Sequence, residues 1–200
     1  MQKFITHKGI ACPLNFANID TDQIIPKQFL LSVSKIGFGK HLFHDLRYLD
    51  DKESVLNPEF KLNQEAYKGA SIIVAKDNFG NGSSREHAPW ALMDFGIRAI
   101  IAPRFGDIFK NNALGNGLLA VVLTEKEVDF LIESLENSDD KNIEISLIDK
   151  KVFAFGKEFN FEIDEFHQKC LLEGLDTIDL TLQYKEKIKA YENNSSVYLV

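Results

Sequence analysis

The sequence predicts an α/β domain, and three observations carry that prediction. Between residues 71 and 123, short apolar runs alternate with helix-patterned segments and turn residues. The runs are continuously apolar rather than alternating, as strands covered on both faces of a parallel sheet are. The composition is that of a soluble globular chain: 200 residues, 44% hydrophobic and 26% charged. A chain of this length buries roughly 70% of its unfolded surface in one domain.

The elements follow in order. Residues 50–66 are polar and weakly periodic, with Asn57-Pro58 among them, and read as a loop. Ser71-Ile-Ile-Val-Ala75 reads as a buried strand, and Lys76–Gly82 as a loop holding two glycines. A helical stretch then runs to about Phe95, where Gly96 stops it. A helix beginning at Ser84 would place Pro89 past its first turn. The regular helix is therefore expected to start nearer residue 87, with 83–86 as an irregular entry. Arg98–Ala102 is a second buried strand, halted by Pro103. Asp107–Leu114 is a short helix, Gly115-Asn-Gly117 a turn and Leu118–Leu123 a third strand. Thr124-Glu-Lys-Glu127 is a capping box that opens a helix of roughly 12 residues. Residues 143–148, 152–155 and 159–163 read as strands, the last two joined by a tight hairpin at Gly156-Lys157. Asp164–Leu172 reads as helix. In a helical tail, about 176–193, Tyr184, Ile188 and Tyr191 share one face. Core packing is the simplest account of that stripe. Residues 1–200 are read as a single domain, without repeats or a Pro-rich linker.

Charge and cysteine usage exclude several classes. Lys and Arg number 23 against 30 Asp and Glu, a net charge of −7. Without a long basic run, nucleic-acid binding is not expected. No apolar run approaches the ~18 residues of a membrane span. Met1–Lys8 has no signal-peptide pattern, so a cytoplasmic location is expected. Cys12 and Cys170 are the only cysteines. They make no disulfide framework, no Cys-x-x-Cys site and no ligand set for an iron–sulfur cluster, which takes about four ligands. Small buried side chains are their plain reading. His41 and His44 are three apart with no third ligand nearby, so no metal site is expected in this chain.

The chemistry concentrates in Asp77-Asn-Phe-Gly-Asn-Gly-Ser-Ser-Arg-Glu-His-Ala-Pro-Trp90. It follows a buried strand and opens a helix, where unpaired N–H groups attract anions. Gly80 and Gly82 let a ligand approach the backbone. Ser83 and Ser84 add hydroxyls, and Arg85 adds a two-pronged cation for a carboxylate. The plain alternative is a capping box, Ser83-x-x-Glu86, serving stability alone. Gly80-Asn-Gly82 lacks the third glycine of a dinucleotide loop and the Gly-Lys-Ser/Thr of a P-loop. Gly82–Glu86 is not a nucleophile elbow, because Glu86 stands at the closing glycine. A second segment, Asn18-Ile-Asp-Thr-Asp-Gln-Ile-Ile-Pro26, carries Asp20 and Asp22. These acids could orient a base or hold a metal, or serve only turn chemistry.

In these motifs, and in Gly37-Phe-Gly-Lys-His-Leu-Phe43, Gly117-Leu-Leu119 and Gly174-Leu-Asp176, the chain resembles the small subunits of bacterial 3-isopropylmalate dehydratase, of the aconitase superfamily. The order and spacing of the motifs, over nearly the whole chain, carry the resemblance. It implies a three-layer aconitase-type swivel domain with a partly open, barrel-like sheet of mixed and parallel strands. It implies a hydro-lyase subunit of leucine biosynthesis, isomerising 2-isopropylmalate and 3-isopropylmalate through 2-isopropylmaleate. A separate large subunit would be the partner and would carry a [4Fe–4S] cluster, with no cofactor bound by this chain. Ser83 would be the catalytic base, with Ser84 and Arg85 stabilising its oxyanion. Arg85, Ser84 and Gly82 would bind a small dicarboxylate, and Asp22 would be an orienting active-site residue.

Substrate choice is expected in the loop after Pro26, around Leu31 to His44, within a longer flexible loop at about 31–66, with Leu31, Val33, Ile36 and Phe38 forming an apolar pocket. Core or interface packing is the alternative for these four. Asn81 stands where relatives often carry cysteine, and Arg104 and Gly106 where Ser and Ala are usual. Asn81 is expected to matter little, and Arg104 either to alter carboxylate binding or to face solvent. Two other readings remain open: a subunit acting on citraconate (methylmalate) or homoaconitate, and an anion-binding module without chemistry.

Overall fold

A computed structural model describes residues 1–30, 36–50, 52–82 and 84–194. Seven strands form one curled, half-barrel sheet: β1 (Thr6–Leu14), β2 (Ile72–Ala75), β3 (Ala99–Ala102), β4 (Leu119–Val122), β5 (Asn142–Ser146), β6 (Lys151–Ala154) and β7 (Lys157–Asn160). Their order is β4-β3-β2-β1-β5-β6-β7. β1 joins two unlike halves. Its C-terminal half pairs parallel with β2, from Ala11↔Ile72 to Leu14↔Ala75. Its N-terminal half pairs antiparallel with β5, from Thr6↔Ser146 to Ile10↔Asn142. β2, β3 and β4 continue in parallel, whereas β5, β6 and β7 form an antiparallel meander. Every residue of β2 and β3 is buried, as the continuous apolar runs require. β6 alternates, as a strand with one wet face does.

The helices are α1 (Thr21–Ile24), α2 (His44–Arg47), α3 (His87–Phe95), α4 (Asp107–Asn116), α5 (Glu125–Asn137), α6 (Glu165–Glu173), α7 (Thr177–Leu182) and α8 (Lys185–Asn194). α5 lies against β1, β2 and β3, and buries Val128, Leu131, Ile132 and Leu135 there. Thr124 caps it: the Glu127 N–H donates to the Thr124 hydroxyl and the Thr124 N–H to the Glu127 carboxylate. α3 begins at His87 as expected, with Pro89 third in the helix, where its missing N–H leaves no bond unmade.

The differences from the expected elements have physical causes. No strand was expected over Thr6–Leu14. Its burial pattern changes midway as its partners change from one side to the other, and Gly9 and Pro13 punctuate it. Gly9 marks a close approach, since a Cβ there would stand 2.0 Å from the Ser71 hydroxyl. Gly115-Asn-Gly117 is not a separate turn. Gly115 and Asn116 finish α4, and Gly117, at φ +97°, is its left-handed stop. The hairpin turns on Phe155-Gly156, both at positive φ, so β7 begins at Lys157 rather than Phe159. The loop over 50–66 is partly organised: Tyr48 bridges Leu56, and 3-10 turns at 61–63 and 65–67 bury Leu62 and Tyr67. The stripe in the tail is not core. Tyr184, Ile188 and Tyr191 are 58%, 42% and 73% exposed.

Candidate active site

Three loops leave the C-terminal ends of β1, β2 and β3 and run side by side. The Asn18 N–H donates to the Asp77 carbonyl (2.9 Å), Gly80 N–H to Ile19 (2.6 Å) and Thr21 N–H to Asn81 (2.9 Å), which joins the first loop to the second. The Phe79 N–H donates to the Arg104 carbonyl (3.0 Å) and the Gly106 N–H to Phe79 (2.9 Å), which joins the second to the third. Open α/β sheets hold their ligands beyond these strand ends. Only glycine permits the approach at two points. A Cβ on Gly80, at φ +72°, would stand 2.2 Å from the Phe109 ring, and one on Gly106 would stand 2.5 Å from the Gly80 carbonyl.

The two acids of the first loop divide their roles. Asp20 accepts from the Gln23 N–H (2.7 Å) and donates its own N–H to the Gln23 side chain (2.9 Å), the capping box of α1. That is the turn chemistry expected of one of them. Asp22, two residues further, faces the second loop. Arg85 Nη1 donates to Asp22 Oδ1 at 2.5 Å and to the Ile25 carbonyl at 3.4 Å. The Arg85 side chain is 10% exposed and that of Asp22 46%, so the guanidinium is sunk and its counter-ion is wet. Both bonds from Arg85 to described residues use Nη1. A guanidinium has further N–H groups, able to take a second carboxylate. Gly82 and Ser84 are exposed beside it, so this face opens to solvent. Ser83 lies outside the described residues.

The Ser83-x-x-Glu86 pattern does not open α3, whose first residue is His87. Glu86 is the N-cap of α3 without a side-chain cap bond, and its carboxylate accepts from Asn116 Nδ2 (3.2 Å). Asn116 Oδ1 in turn accepts from the Trp90 indole N–H (3.0 Å). Leu31 and Val33 also lie outside the described residues. Ile36 is 80% exposed, whereas Phe38 is buried, its ring edge-on to His87 at 5.2 Å. Phe38 thus packs as core. Arg104 Nη2 donates to Asp77 Oδ2 at 2.6 Å across the second and third loops. Its side chain is 66% exposed, so Arg104 faces solvent, as one of the two expectations had it, with Asp77 as its partner. Asn81 Nδ2 donates to the Asn78 carbonyl (3.1 Å), a local loop bond.

The described histidines and cysteines are spread over several separate elements. His41 Nδ1 pairs with the Glu53 carboxylate, and no cluster of three potential ligands forms among the described residues. Burial pushes the Cys12 thiol well up, opposed by the Lys61 charge, and burial likewise raises Cys170. Both are buried and disfavour the thiolate that would bind metal.

Sequence reasoning read Glu86 only as a candidate cap and did not pair it with Asn116, nor Asp94 with Gly37, because those partners lie 30 and 57 residues apart in sequence.

Residues 1–126 match the aconitase C-terminal domain family. The whole chain is 69% identical over 200 residues to the 3-isopropylmalate dehydratase small subunit of Campylobacter jejuni subsp. doylei, covering all of both chains. The chain belongs to the 3-isopropylmalate dehydratase small-subunit family. A small subunit from another Campylobacter jejuni strain, RM1221, is 68% identical over the same full span. A crystal structure titled 3-isopropylmalate dehydratase, from Methanocaldococcus jannaschii, superposes with a TM-score of 0.67 at 25% identity. That match covers 94% of this chain and 99% of the other. This family's fold accounts for the mixed sheet, and the three joined loops lie within the matched 1–126 span.

Proposed function

We propose that the chain is the small subunit of a two-chain hydro-lyase that interconverts 2-isopropylmalate and 3-isopropylmalate through 2-isopropylmaleate. The carrying observation is the sunken Arg85, held by Asp22 on an open face at the parallel strand ends. A dicarboxylate needs a fixed cation, and an alkene hydration needs a site for proton transfer. Arg85 binds one substrate carboxylate through its free edge. Asp22 orients Arg85 and keeps it from swinging to solvent. Ser83, by resemblance, takes the proton from carbon. An ordinary serine is too weak an acid to serve as its own alkoxide. Ser84, Arg85 and the N–H groups entering α3 therefore stabilise the oxyanion, as preorganised donors do.

A [4Fe–4S] cluster does not fit this chain, whose two cysteines are buried on separate elements, β1 and α6. The cluster is assigned to a large subunit, and the open face around Asp22 and Ser84 is the side that meets it. The substrate is isopropylmaleate rather than citraconate on the strength of the relatives' name. Competition tests this directly. With a cluster-loaded large subunit, 2-isopropylmaleate should be hydrated in preference to equimolar citraconate. A preference for citraconate would keep the chemistry and change the substrate.

A further inference from the structure

The chain that follows α2 is built as a short two-stranded tip. Tyr48 bridges Leu56, and the Leu49 N–H donates to the Val55 carbonyl (2.9 Å). Asp50 shapes the turn by accepting the Ser54 N–H (3.0 Å), the Ser54 hydroxyl (2.6 Å) and the Val55 N–H (2.8 Å). The base is clamped. The Arg47 carbonyl accepts from the Asn57 N–H (2.8 Å) and from Asn63 Nδ2 (2.7 Å), and the Leu46 carbonyl accepts from Asn57 Nδ2 (2.9 Å). Yet Leu49, Val55 and Leu56 are each at least half exposed. One exposed leucine is ordinary, but three aliphatic side chains gathered on a preformed tip mark an interaction surface. His44, Asp45, Tyr48, Leu49 and Asp50 line a groove of about 210 Å³ along it. The groove is acidic: the Asp45 side chain is mostly exposed, while the Arg47 guanidinium turns away to the Gly39, Lys40 and Leu42 carbonyls.

The occupant follows from where the tip is rooted. Arg85 Nη1 donates to the Ile25 carbonyl (3.4 Å), and the Phe43 N–H donates to the neighbouring Ile24 carbonyl (2.9 Å). α2 starts at the next residue, His44, and Leu49 stands two residues past its end. One helical turn and two extended residues span at most about 15 Å. A stable interface covers about 800 Å² on each partner, a patch roughly 30 Å across. The tip therefore falls within reach of a chain that covers Arg85 and Asp22. The small-subunit family to which this chain belongs implies a large-subunit partner. We infer that the tip bearing Leu49, Val55 and Leu56 is a docking knob for that large subunit, taking an apolar face of it with a cation for the groove at Asp45 and Asp50. The choice of occupant rests on the divided site proposed above. The knob touches no substrate, so it sets how tightly the two chains hold together and leaves the chemistry alone.

Titration calorimetry of the full chain with the cluster-loaded large subunit tests this in two variants. In the double variant Leu49→Ser, Leu56→Ser, the Kd should rise about tenfold or more, the loss that truncating buried contacts at an interface gives. The urea midpoint of the isolated variant should stay near wild type, because both side chains are already exposed. Turnover at saturating concentrations of this chain should stay within about twofold. Asp45→Lys should also weaken association, more at low salt than at high salt, where opposed cations are screened. A Kd within twofold of wild type in either variant, or a fall in saturated turnover without a change in Kd, would overturn the inference. So would a self-association of the isolated chain, seen by sedimentation, that the double variant abolishes while the Kd for the large subunit holds; the occupant would then be a second copy. If the wild-type chains associate but hydrate neither 2-isopropylmaleate nor citraconate, the proposed function fails. The Kd values then still decide whether the knob is the docking surface.

Discussion

Replacing Arg85 with Lys keeps the positive charge and removes the fork. In the wild type, Nη1 is committed to Asp22 at 2.5 Å, and in the proposed function the rest of the guanidinium takes the substrate carboxylate. A lysine ammonium is a single point of charge. To reach Asp22 it must give up one of the two carboxylates. The bond lost to substrate is charge-assisted, with a net contribution of about 1.5–3 kcal/mol. kcat/KM should therefore fall about 10- to 150-fold, since each 1.4 kcal/mol is a factor of ten. Stability should change much less. Asp22 is nearly half exposed, and pairs open to water contribute about 1 kcal/mol or less. Steady-state kinetics of the assembled enzyme, with urea unfolding of the isolated chain, separates the two effects. A Lys variant that assembles normally and keeps kcat/KM within twofold of wild type would refute the assignment of Arg85 to a substrate carboxylate.

Other perturbations should divide between chemistry and fold. Asp22→Asn leaves a nine-tenths-buried guanidinium without its counter-ion and should cost about 1–2 kcal/mol in urea unfolding, below the 3–5 of a fully buried pair. Ser83→Ala should abolish turnover while the two chains still co-elute in gel filtration; normal turnover would remove Ser83 from the mechanism. Gly80→Ala should unfold the loop junction, because a Cβ there overlaps Phe109 at 2.2 Å and φ is +72°; circular dichroism melting would report it. Burial, then the Arg98 charge, lowers the His7 imidazole from its ordinary value of 6.5. A lowered histidine gives stability that is fully present above about pH 6.5 and lost as pH falls through its folded value. The urea midpoint should accordingly drop between pH 7 and pH 5, and less so in His7→Gln.

The parallel half of the fold was legible because burial on both faces leaves an unbroken apolar run, as in Ile72–Ala75 and Ala99–Ala102. α5 was legible from Thr124 and Glu127, a cap that works through adjacent residues. β1 was not, because it serves a parallel and an antiparallel partner in turn, and no single period describes it. The tail showed the opposite failure: a helical stripe at Tyr184, Ile188 and Tyr191 signals an apolar face but not what covers it. In the site, Gly82, Ser84 and Arg85 stood out in one segment. The Arg85–Asp22 pair spans 63 positions and the bonds from the Gly37 and Gly39 N–H groups to Asp94 span 57 and 55, so only the fold brings those groups together.

The central claim is a site divided between two chains, with this chain holding the carboxylate. Anaerobic hydration of 2-isopropylmaleate, followed with the chain alone, with a cluster-loaded large subunit alone, and with both, tests it most directly. Turnover in the mixture only, saturating as this chain is titrated in, is the predicted result. Full turnover by either chain alone, or none from an assembled and cluster-loaded pair, would contradict it.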